Sequence, residues 1–415
     1  MTSHPNRDLR LINSAGFLRS LGVGMLGVLL GIYLFRLGLS SLAIGLVVAT
    51  GLAGSAVGTI VMSFAGDRLG RKNSLVFLSL LSAVAGIALA LSPSLPVLLT
   101  MTFIGMLNGT GTDRSAAFAL DQAIIPSLVA DIRRTWTLAW YNVLLDGGGS
   151  LGALGAALPN FLQHRFAQST LSSYRAVFLA YSGLCLTVAA LYLFLSPAVE
   201  IASPSTLMTG RIAPESKRIV AKLTALFSLD AFGGGFLTDA LVAYWFFRRF
   251  GIAEGNLGLV FFVVHILNAG SHLGAAWLAR RIGLVNTMVF THLPSSLFLM
   301  AVPLAPSFKW AVLLFLCREA LVEMDVPTRQ SYVAALVNPT ERTFASGITN
   351  LARNIFWAVG SASAGLLMQA VSFSAPLLVG GGAKVAYDLL LYKSFRKLEP
   401  PEEALRPSTS TNPAP

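Results

Sequence analysis

The sequence at positions 63–72, SFAGDRLGRK, sets a compact charge cluster between two long apolar stretches. Elsewhere the chain is unusually apolar, because 54% of its 415 residues are hydrophobic and only 12% are charged. Soluble proteins carry about 25% charged residues. A chain so poor in charge is typical of a protein whose surroundings are lipid. The residues of the charge cluster are Asp67, Arg68, Gly70, Arg71 and Lys72.

Apolar stretches of about 20 residues, the length that crosses a bilayer as an α-helix, recur almost from end to end. The sequence therefore predicts an all-α membrane protein with about twelve transmembrane helices, in two six-helix bundles. The spans are predicted at 13–35, 41–65, 73–93, 96–118, 136–161 and 174–196, and then at 220–247, 255–279, 284–305, 308–328, 344–370 and 373–395. The predicted division is an N-terminal bundle (1–196), a cytoplasmic linker (197–218), a C-terminal bundle (219–398) and a disordered cytoplasmic tail (399–415).

The distribution of positive charge predicts the orientation. With both termini in the cytoplasm, about three basic residues fall on the cytoplasmic side for each one on the outer side. The net charge of +11 then follows from topology and indicates no nucleic-acid partner. The first residues lack the cleavage pattern of a signal peptide, so the first span is expected to remain in the membrane. Cys185 and Cys317 fall inside apolar spans, which argues against a disulfide.

The two halves of the chain resemble each other. RLGLSSLAIGL from Arg36 and RFGIAEGNLGL from Arg249 share Arg, Gly, Gly and Leu at the same offsets. The same register aligns GDRLGRK with ARRIGLV. Many secondary transporters are built from a repeated six-helix unit, with the substrate site between the halves near the midplane. The alternative is chance similarity between apolar helices.

The charge cluster resembles a signature of the major facilitator superfamily, and the resemblance covers essentially the whole chain. In that family the loop between helices 2 and 3 carries Gly, three residues, and then Asp-Arg-x-Gly-Arg-Arg/Lys. The positions from Asp67 to Lys72 match it, whereas Ser63 replaces the first Gly. The resemblance implies a cytoplasmic latch of Asp67, Arg71 and Asp121 that breaks and re-forms during alternating access. The alternative is a positive-inside anchor with no role in gating.

Within this latch Arg71 is expected to pair with Asp121 at the cytoplasmic end of the fourth helix. Asp67 is expected to accept hydrogen bonds from the N-terminus of another helix, and Gly70 to make the tight turn. The repeat counterpart, Arg280, Arg281 and Gly283, lacks the acid and predicts a weaker latch, with Asp325 as a candidate partner.

Ionisable residues inside the predicted spans are candidates for substrate or proton contact, because an unpaired charge in lipid costs several kcal/mol. The alternative is structural ion pairing between helices. The candidates nearest the midplane are Asp146, Asp239, Arg318, Glu319 and Arg353, and those in the cytoplasmic half are Arg19, Asp113, Arg114, Asp230 and Glu323. In the superfamily helices 1, 4, 7 and 10 line the central cavity, which favours Arg19, Asp113, Arg114, Asp239, Arg318 and Glu319.

Two carboxylates on one face of the tenth span suggest a proton carrier. Glu319 and Glu323 are four residues apart, and repulsion between like charges favours protonation of one of them. Glu319 is therefore predicted to be the coupling acid, ahead of Asp239 and Asp113. The alternative is that one of the two glutamates pairs with an arginine of a neighbouring helix.

Two further pairs in the C-terminal half are predicted to be structural. Lys384 and Asp388 lie four residues apart and are expected to pair with each other on the last helix, which the family places at the periphery. His265 and His272 lie two turns apart on the eighth span and are expected to be packing residues, with a proton relay as the alternative.

The sequence predicts a transporter rather than an enzyme, since it shows neither metal-ligand spacing nor a phosphate-binding loop. Two signatures of drug/proton antiporters are matched only in part. In GMLNGTGTDR, Gly105 stands where an Arg is expected, with Arg114 as a possible substitute, and in GGGSLGALGAALP, Ala153 stands where a Pro is expected.

The predicted function is alternating-access transport of a small organic solute, driven by the proton gradient without any cofactor. Export is favoured, by a monomer in a bacterial cytoplasmic membrane. A solute/proton symporter is the alternative, and a non-transporting receptor or lipid-handling protein is the alternative from another class.

Overall fold

The computed structural model describes residues 5–107, 109–130, 133–200, 214–337 and 342–396, and these residues are overwhelmingly helical. The α-helices are α1 (Pro5–Arg36), α2 (Ser41–Leu69), α3 (Arg71–Leu91), α4 (Leu95–Gly105), α5 (Ala116–Ile124), α6 (Arg134–Leu154), α7 (Leu158–Phe166), α8 (Thr170–Leu193), α9 (Pro214–Gly235), α10 (Asp239–Phe250), α11 (Glu254–Ile282), α12 (Leu284–Ala301), α13 (Phe308–Val322), α14 (Asp325–Leu336), α15 (Arg342–Ala370) and α16 (Ala375–Phe395).

These helices build the predicted spans, but four spans consist of two helices each. The fourth span is α4 and α5, the fifth is α6 and α7, the seventh is α9 and α10, and the tenth is α13 and α14. The first six spans form the N-terminal bundle and the last six form the C-terminal bundle. Seven of the described helical stretches are long and apolar enough to cross a membrane.

The fourth span differs most from its prediction, because the continuous helix expected at 96–118 is interrupted. α4 ends at Gly105, and Met106 follows in the left-handed region with φ of 54°. α5 begins after Ser115, whose side chain accepts a hydrogen bond from the backbone N–H of Phe118 at 3.3 Å. Gly, Thr and Asp dominate the α4–α5 connection, and these residues favour turns over helix.

The internal repeat is visible in the backbone. In the register that aligns Arg36 with Arg249, Gly38 falls on Gly251 and Gly70 falls on Gly283. All four glycines have positive φ, at 84° and 63° for the first pair and 86° and 89° for the second. Each pair lies at the ends of equivalent helices. Glycine recurs at these positions because a positive φ is accessible mainly to glycine. The two halves therefore share their turns as well as their span order.

The outer surface of the helices is apolar, as expected for a protein in lipid. Large hydrophobic side chains are half or more exposed on many spans, although the bundle interiors are filled with buried Leu, Val, Ile and aromatic residues. This surface and the apolar helix lengths describe an integral, multi-pass membrane protein. Examples of the exposed side chains are Phe77 at 54%, Leu193 at 57%, Phe290 at 55% and Leu389 at 56%.

One end of the molecule, which we call the terminal face, holds the first and last helix ends of each bundle. These are the start of α1 and the end of α8, and the start of α9 and the end of α16. Near this face Arg7 Nη2 donates to the carbonyl oxygen of Phe194 at 3.3 Å, which joins the start of α1 to the end of α8. Lys222 Nζ lies 5.2 Å from the ring centre of Phe395, which joins α9 to the end of α16. The predicted linker 197–218 ends in helix, since α9 begins at Pro214; residues 201–213 and the predicted tail 399–415 lie outside the described residues.

The two bundles meet along a seam that is closed at the end opposite the terminal face. Among the described residues, polar contacts between the bundles lie at this opposite face and near the midplane. At the opposite face they join Ser41 Oγ to Tyr244 Oη (3.1 Å), the Leu42 N–H to Gln369 Oε1 (3.2 Å), and Arg36 to Glu254 (3.6 Å).

Candidate functional site

Two interrupted spans, one from each bundle, touch at the centre of the seam. The seventh span breaks before α10, and the backbone N–H of Ala240 donates to the carbonyl oxygen of Gly109 at 2.9 Å. Asp239, the first residue of α10, packs its carboxylate against Gly111, where any Cβ atom would collide with it. Gly111 itself has φ of 73°. Glycine is therefore needed here both for the backbone conformation and for the close approach of Asp239.

The Asp239 carboxylate faces a histidine from the next helix. His265 Nε2 of α11 lies 3.3 Å from Asp239 Oδ2, within ion-pair distance. The His265 side chain is only 4% exposed and that of Asp239 is 14% exposed. His265 was expected from sequence to be a packing residue, and no local signal in the chain connects it with Asp239.

Three more titratable residues lie close enough to interact electrostatically with this pair or with one another. Asp146 of α6 interacts electrostatically with both His265 and His272, and Glu323 interacts with His272 and Asp239. The structure thus collects three carboxylates predicted separately, together with two histidines. No group of three metal-ligating side chains is formed by the described residues. We call this set the midplane cluster: Asp146, Asp239, His265, His272 and Glu323.

Glu319, the favoured coupling acid in the sequence, already has a partner. Arg318 Nη1 donates to Glu319 Oε1, and both residues are buried in α13. The Glu319 carboxylate is therefore paired within its own helix rather than with an arginine of a neighbouring helix. Glu323 belongs to the midplane cluster instead of acting with Glu319.

Arg114 lies at the seam and forms no ion pair with any residue that the structure describes. Its guanidinium carbon is 3.6 Å from the ring centre of Trp357 on α15 of the other bundle. Gly234 of α9 leaves room for the indole, since a Cβ there would lie 2.6 Å from Trp357 Nε1. Among the described residues, Arg114 Nε and Trp357 Nε1 are buried and have no hydrogen-bond acceptor.

Arg19 and Asp113 lie within the N-terminal bundle rather than on the seam. Arg19 Nε pairs with Asp113, and Arg19 Nη2 lies 2.8 Å from Asp121 Oδ2. Tyr141 Oη and Tyr192 Oη also donate to Asp121 Oδ2, at 2.7 and 3.1 Å. Asp121 is fully buried at the centre of this network.

The pairing of Asp121 with Arg71 in the predicted latch is therefore wrong in this conformation. Asp121 lies on the buried face of the short helix α5, so its carboxylate points into the bundle towards Arg19. A helical span continuous to residue 118 would not have revealed this orientation. A different acid lies at the N-terminus of α3.

That acid is Glu200, which follows the sixth span. The backbone N–H groups of Arg71 and Lys72 donate to its carboxylate at 2.6 and 3.1 Å, and Lys72 Nζ donates to the carbonyl oxygen of Leu195 at 3.1 Å. Gly70, with φ of 86°, makes the turn that exposes these N–H groups. A carboxylate at a helix N-terminus is favourable because the first N–H groups lack partners within the helix.

The other residues of the charge cluster contribute less to this arrangement. Arg68 is exposed near the end of α2, and the side chain of Asp67 lies outside the described residues. Glu200 was missed in the sequence because it stands 129 residues from Arg71.

A second buried charge network lies inside the C-terminal bundle. Asp230 of α9 faces three cations from three other helices. Lys384 Nζ is 2.7 Å from Asp230 Oδ1, whereas Arg353 Nη1 and Arg329 Nη1 are 3.4 and 3.6 Å from Oδ2. Arg329 also binds Asp325 at 2.5 Å. Asp325, suggested as a latch partner, is therefore part of this Asp230 network.

The predicted pair between Lys384 and Asp388 is wrong. Lys384 binds Asp230, and Asp388 Oδ1 lies 2.9 Å from His292 Nδ1 of α12. Both residues are buried, so this face of the last helix turns into its bundle. Spacing correctly placed the two side chains on one face but could not identify the helices opposite them.

Comparison with known proteins gives a consistent result. A sequence model of the Major Facilitator Superfamily matches residues 12–324. An uncharacterized membrane protein of Saccharomyces cerevisiae is 24% identical over 422 residues, covering 94% of each chain. Each structural likeness below is under 25% identical and shows the fold alone.

Three solved transporters have a similar fold. The nucleoside transporter NupG has a TM-score of 0.73 at 14% identity, covering 94% of this chain and 99% of its own. A D-xylose-proton symporter has a TM-score of 0.72 at 16% identity, covering 94% and 98%. A bacterial homologue of the human lysosomal transporter Spinster, in an inward-facing and occupied conformation, has a TM-score of 0.73 at 16% identity, covering 95% and 96%.

The family match includes the charge cluster, the interrupted fourth and seventh spans and the seam residues up to Met324. The repeated bundles and the charged residues near the midplane are features of a secondary transporter, not of an enzyme. The chain belongs to the Major Facilitator Superfamily.

Proposed function

We propose that this protein is a proton-coupled transporter of a small organic solute and that the Asp239–His265 pair carries the coupling proton. The observation that carries the proposal is the position of Asp239. It begins α10 at a helix break, contacts Gly111 of the other bundle and lies 3.3 Å from His265. A change in the charge of Asp239 therefore alters the electrostatic energy of the contact between the bundles.

The physical basis is the cost of an ionised carboxylate in a membrane interior. Ionised Asp239 is stabilised by a protonated His265, whose Nε2 lies 3.3 Å from its carboxylate. Protonated Asp239 carries no charge and needs no such partner, so it can separate from its surroundings more readily. Protonation would thus shift the balance between bundle arrangements, which is what coupling requires.

Alternating access then consists of opening the seam at one face while closing it at the other. The positive-charge distribution supports cytoplasmic termini, so the terminal face is the inner face of the membrane. The contacts between Ser41 and Tyr244 and between Arg36 and Glu254 then close the outer side. In this proposal the structure faces inward, and the protein works as a monomer.

We favour export in exchange for protons. Gly148 and Gly152, in the glycine-rich run that partly matches an antiporter signature, let the backbones of α6 and α1 touch. Close packing of this kind is the physical role expected of such a run. Symport is the alternative, and the direction of solute-dependent proton movement in proteoliposomes distinguishes the two.

A conformational measurement tests the coupling without knowledge of the solute. Spin labels at the exposed positions Ala123 and Gln330, on α5 and α14, report the distance between the bundles near the terminal face in a variant without native cysteines. We expect this distance to change between about pH 5 and pH 8, the range of histidine titration. In Asp239→Asn, which mimics the protonated acid, it should stay constant.

The matched control is Glu319→Gln, which removes a buried carboxylate that is already paired with Arg318. This variant should keep the pH response. If Asp239→Asn responds to pH as the wild type does, or if Glu319→Gln abolishes the response, the coupling proton is not on Asp239.

A further inference from the structure

Arg114 joins the two bundles through an aromatic stack instead of an ion pair. It lies in the α4–α5 connection of the N-terminal bundle, and its guanidinium carbon lies 3.6 Å from the ring centre of Trp357 in the C-terminal bundle. A guanidinium so close to an indole is attracted by the π-electrons, and its N–H groups remain available at the edges. The stack therefore fixes the position of the guanidinium and leaves its N–H groups available to donate hydrogen bonds.

No described residue accepts a hydrogen bond from the Arg114 guanidinium. Arg114 has no carboxylate within ion-pair distance among the described residues, and its Nε is buried without an acceptor. The buried Arg318 and Arg329 nearby each have a carboxylate partner, Glu319 and Asp325, although Arg318 Nε also lacks an acceptor. A half-buried, unsatisfied guanidinium is costly, so an acceptor supplied from outside the chain would stabilise it.

A second arginine adds positive charge on the same side of the seam. Arg353 lies four residues before Trp357 on α15, so the two side chains share a helical face. Its Nη1 is buried without a hydrogen-bond acceptor and lies 3.4 Å from Asp230, which also faces Lys384. Arg353 is thus only partly neutralised, and it adds positive charge near Arg114, where Glu323 and Asp230 add negative charge.

We propose that the transported solute is a small organic anion whose carboxylate is bound by Arg114, with Trp357 supporting its planar part. This inference rests on the proposed transport function and names the substrate class of the same site. The in-plane N–H groups of a guanidinium match the two oxygens of a carboxylate. Since Arg114 and Trp357 belong to different bundles, binding the anion would also tie the bundles together at the midplane.

Thermal unfolding of the purified full-length protein in detergent tests this assignment. The probes are three carboxylates and their uncharged amides, benzoate and benzamide, nicotinate and nicotinamide, and succinate and succinamide. We expect at least one carboxylate to raise the unfolding temperature, because a ligand that binds the native state stabilises it. Its amide should have no effect.

The variants identify the residue responsible. In Arg114→Gln the stabilisation by carboxylate should disappear, and in Arg114→Lys the Kd should rise about tenfold or more, because lysine lacks the planar fork. Arg248→Gln is the matched control, since Arg248 also stacks on an aromatic ring across the seam, 4.4 Å from Phe35, but at the exposed opposite face. It should bind as the wild type does.

Three results would overturn the proposal. One is the absence of stabilisation by any of the three carboxylates, another is equal stabilisation by an amide, and the third is undiminished binding by Arg114→Gln. If Arg114→Gln does not fold, the Kd of Arg114→Lys decides. These measurements involve no proton gradient, so they can fail while Asp239 still couples protons, and they can succeed if it does not.

Discussion

The backbone N–H of Ala240 is hydrogen-bonded to the carbonyl oxygen of Gly109 at 2.9 Å, and this bond joins an interrupted span of one bundle to an interrupted span of the other. The first N–H groups of α10 have no acceptor within their own helix. The α4–α5 connection likewise leaves carbonyl oxygens without helical partners, and lipid offers none. The hydrogen bond thus gives a partner to an N–H group at one helix break and to a carbonyl oxygen at the other, and Asp239 lies where the two breaks meet.

Gly111→Ala should disturb this junction. Gly111 has φ of 73°, and an added Cβ would collide with the Asp239 carboxylate. We expect a loss of stability of about 1–3 kcal/mol from backbone strain, with a further loss from the collision. Unfolding by denaturant and by heat in detergent measures it. Gly147→Ala is the control, because open space surrounds that helical glycine and alanine should stabilise the helix by about 0.5–1 kcal/mol. Equal stability of the two variants would contradict the close packing of Asp239.

Asp121→Ala should be far more damaging to stability than Arg71→Ala. Removing Asp121 leaves Arg19 short of one buried counter-charge and leaves Tyr141 and Tyr192 without their acceptor. Breaking a buried pair costs about 3–5 kcal/mol. Arg71→Ala keeps the backbone N–H that binds Glu200. Thermal unfolding of both variants measures the difference. If the two losses are equal, Asp121 acts with Arg71 as the latch pairing predicts.

Asp230→Asn should strongly destabilise the C-terminal bundle. The amide has no charge, so Lys384 and Arg353 would lose the carboxylate they share, at a cost of about 3–5 kcal/mol. Asp388→Asn is the comparison, because it removes one of the two carboxylates near His292 and leaves Asp230 in place. Unfolding in detergent should show the larger loss for Asp230→Asn. A smaller loss than for Asp388→Asn would mean that Asp230 is not the centre of the network.

The terminal face should be cytoplasmic. Single cysteines introduced at the exposed positions Arg68, Ala130 and Arg396, in a variant without native cysteines, should react with a membrane-impermeant thiol reagent only after the membrane is permeabilised. A cysteine at Gly38, near the opposite face, should react in intact cells. The reason is the excess of basic residues on the terminal side. Labelling of Arg68→Cys or Arg396→Cys in intact cells would reverse the proposed orientation.

The sequence by itself determined the class of protein, the order of its spans and the repeat. Apolar length fixes a helix across a bilayer, and a glycine required at Gly70 or Gly283 is a local property of the backbone. The repeated Arg-Gly pattern likewise indicates the internal repeat without any long-range contact. These features are readable because their causes lie within a few residues of each other.

Only the tertiary structure decided which charges meet. Lys384 binds Asp230 across 154 residues, and Arg19 binds Asp121 across 102. Helical spacing places a side chain on a face of its own helix, but the helix opposite depends on how whole bundles pack. Lys384 was assigned the wrong partner for this reason. A buried charge takes the partner that removes most of its desolvation cost, and that partner is set by proximity in space.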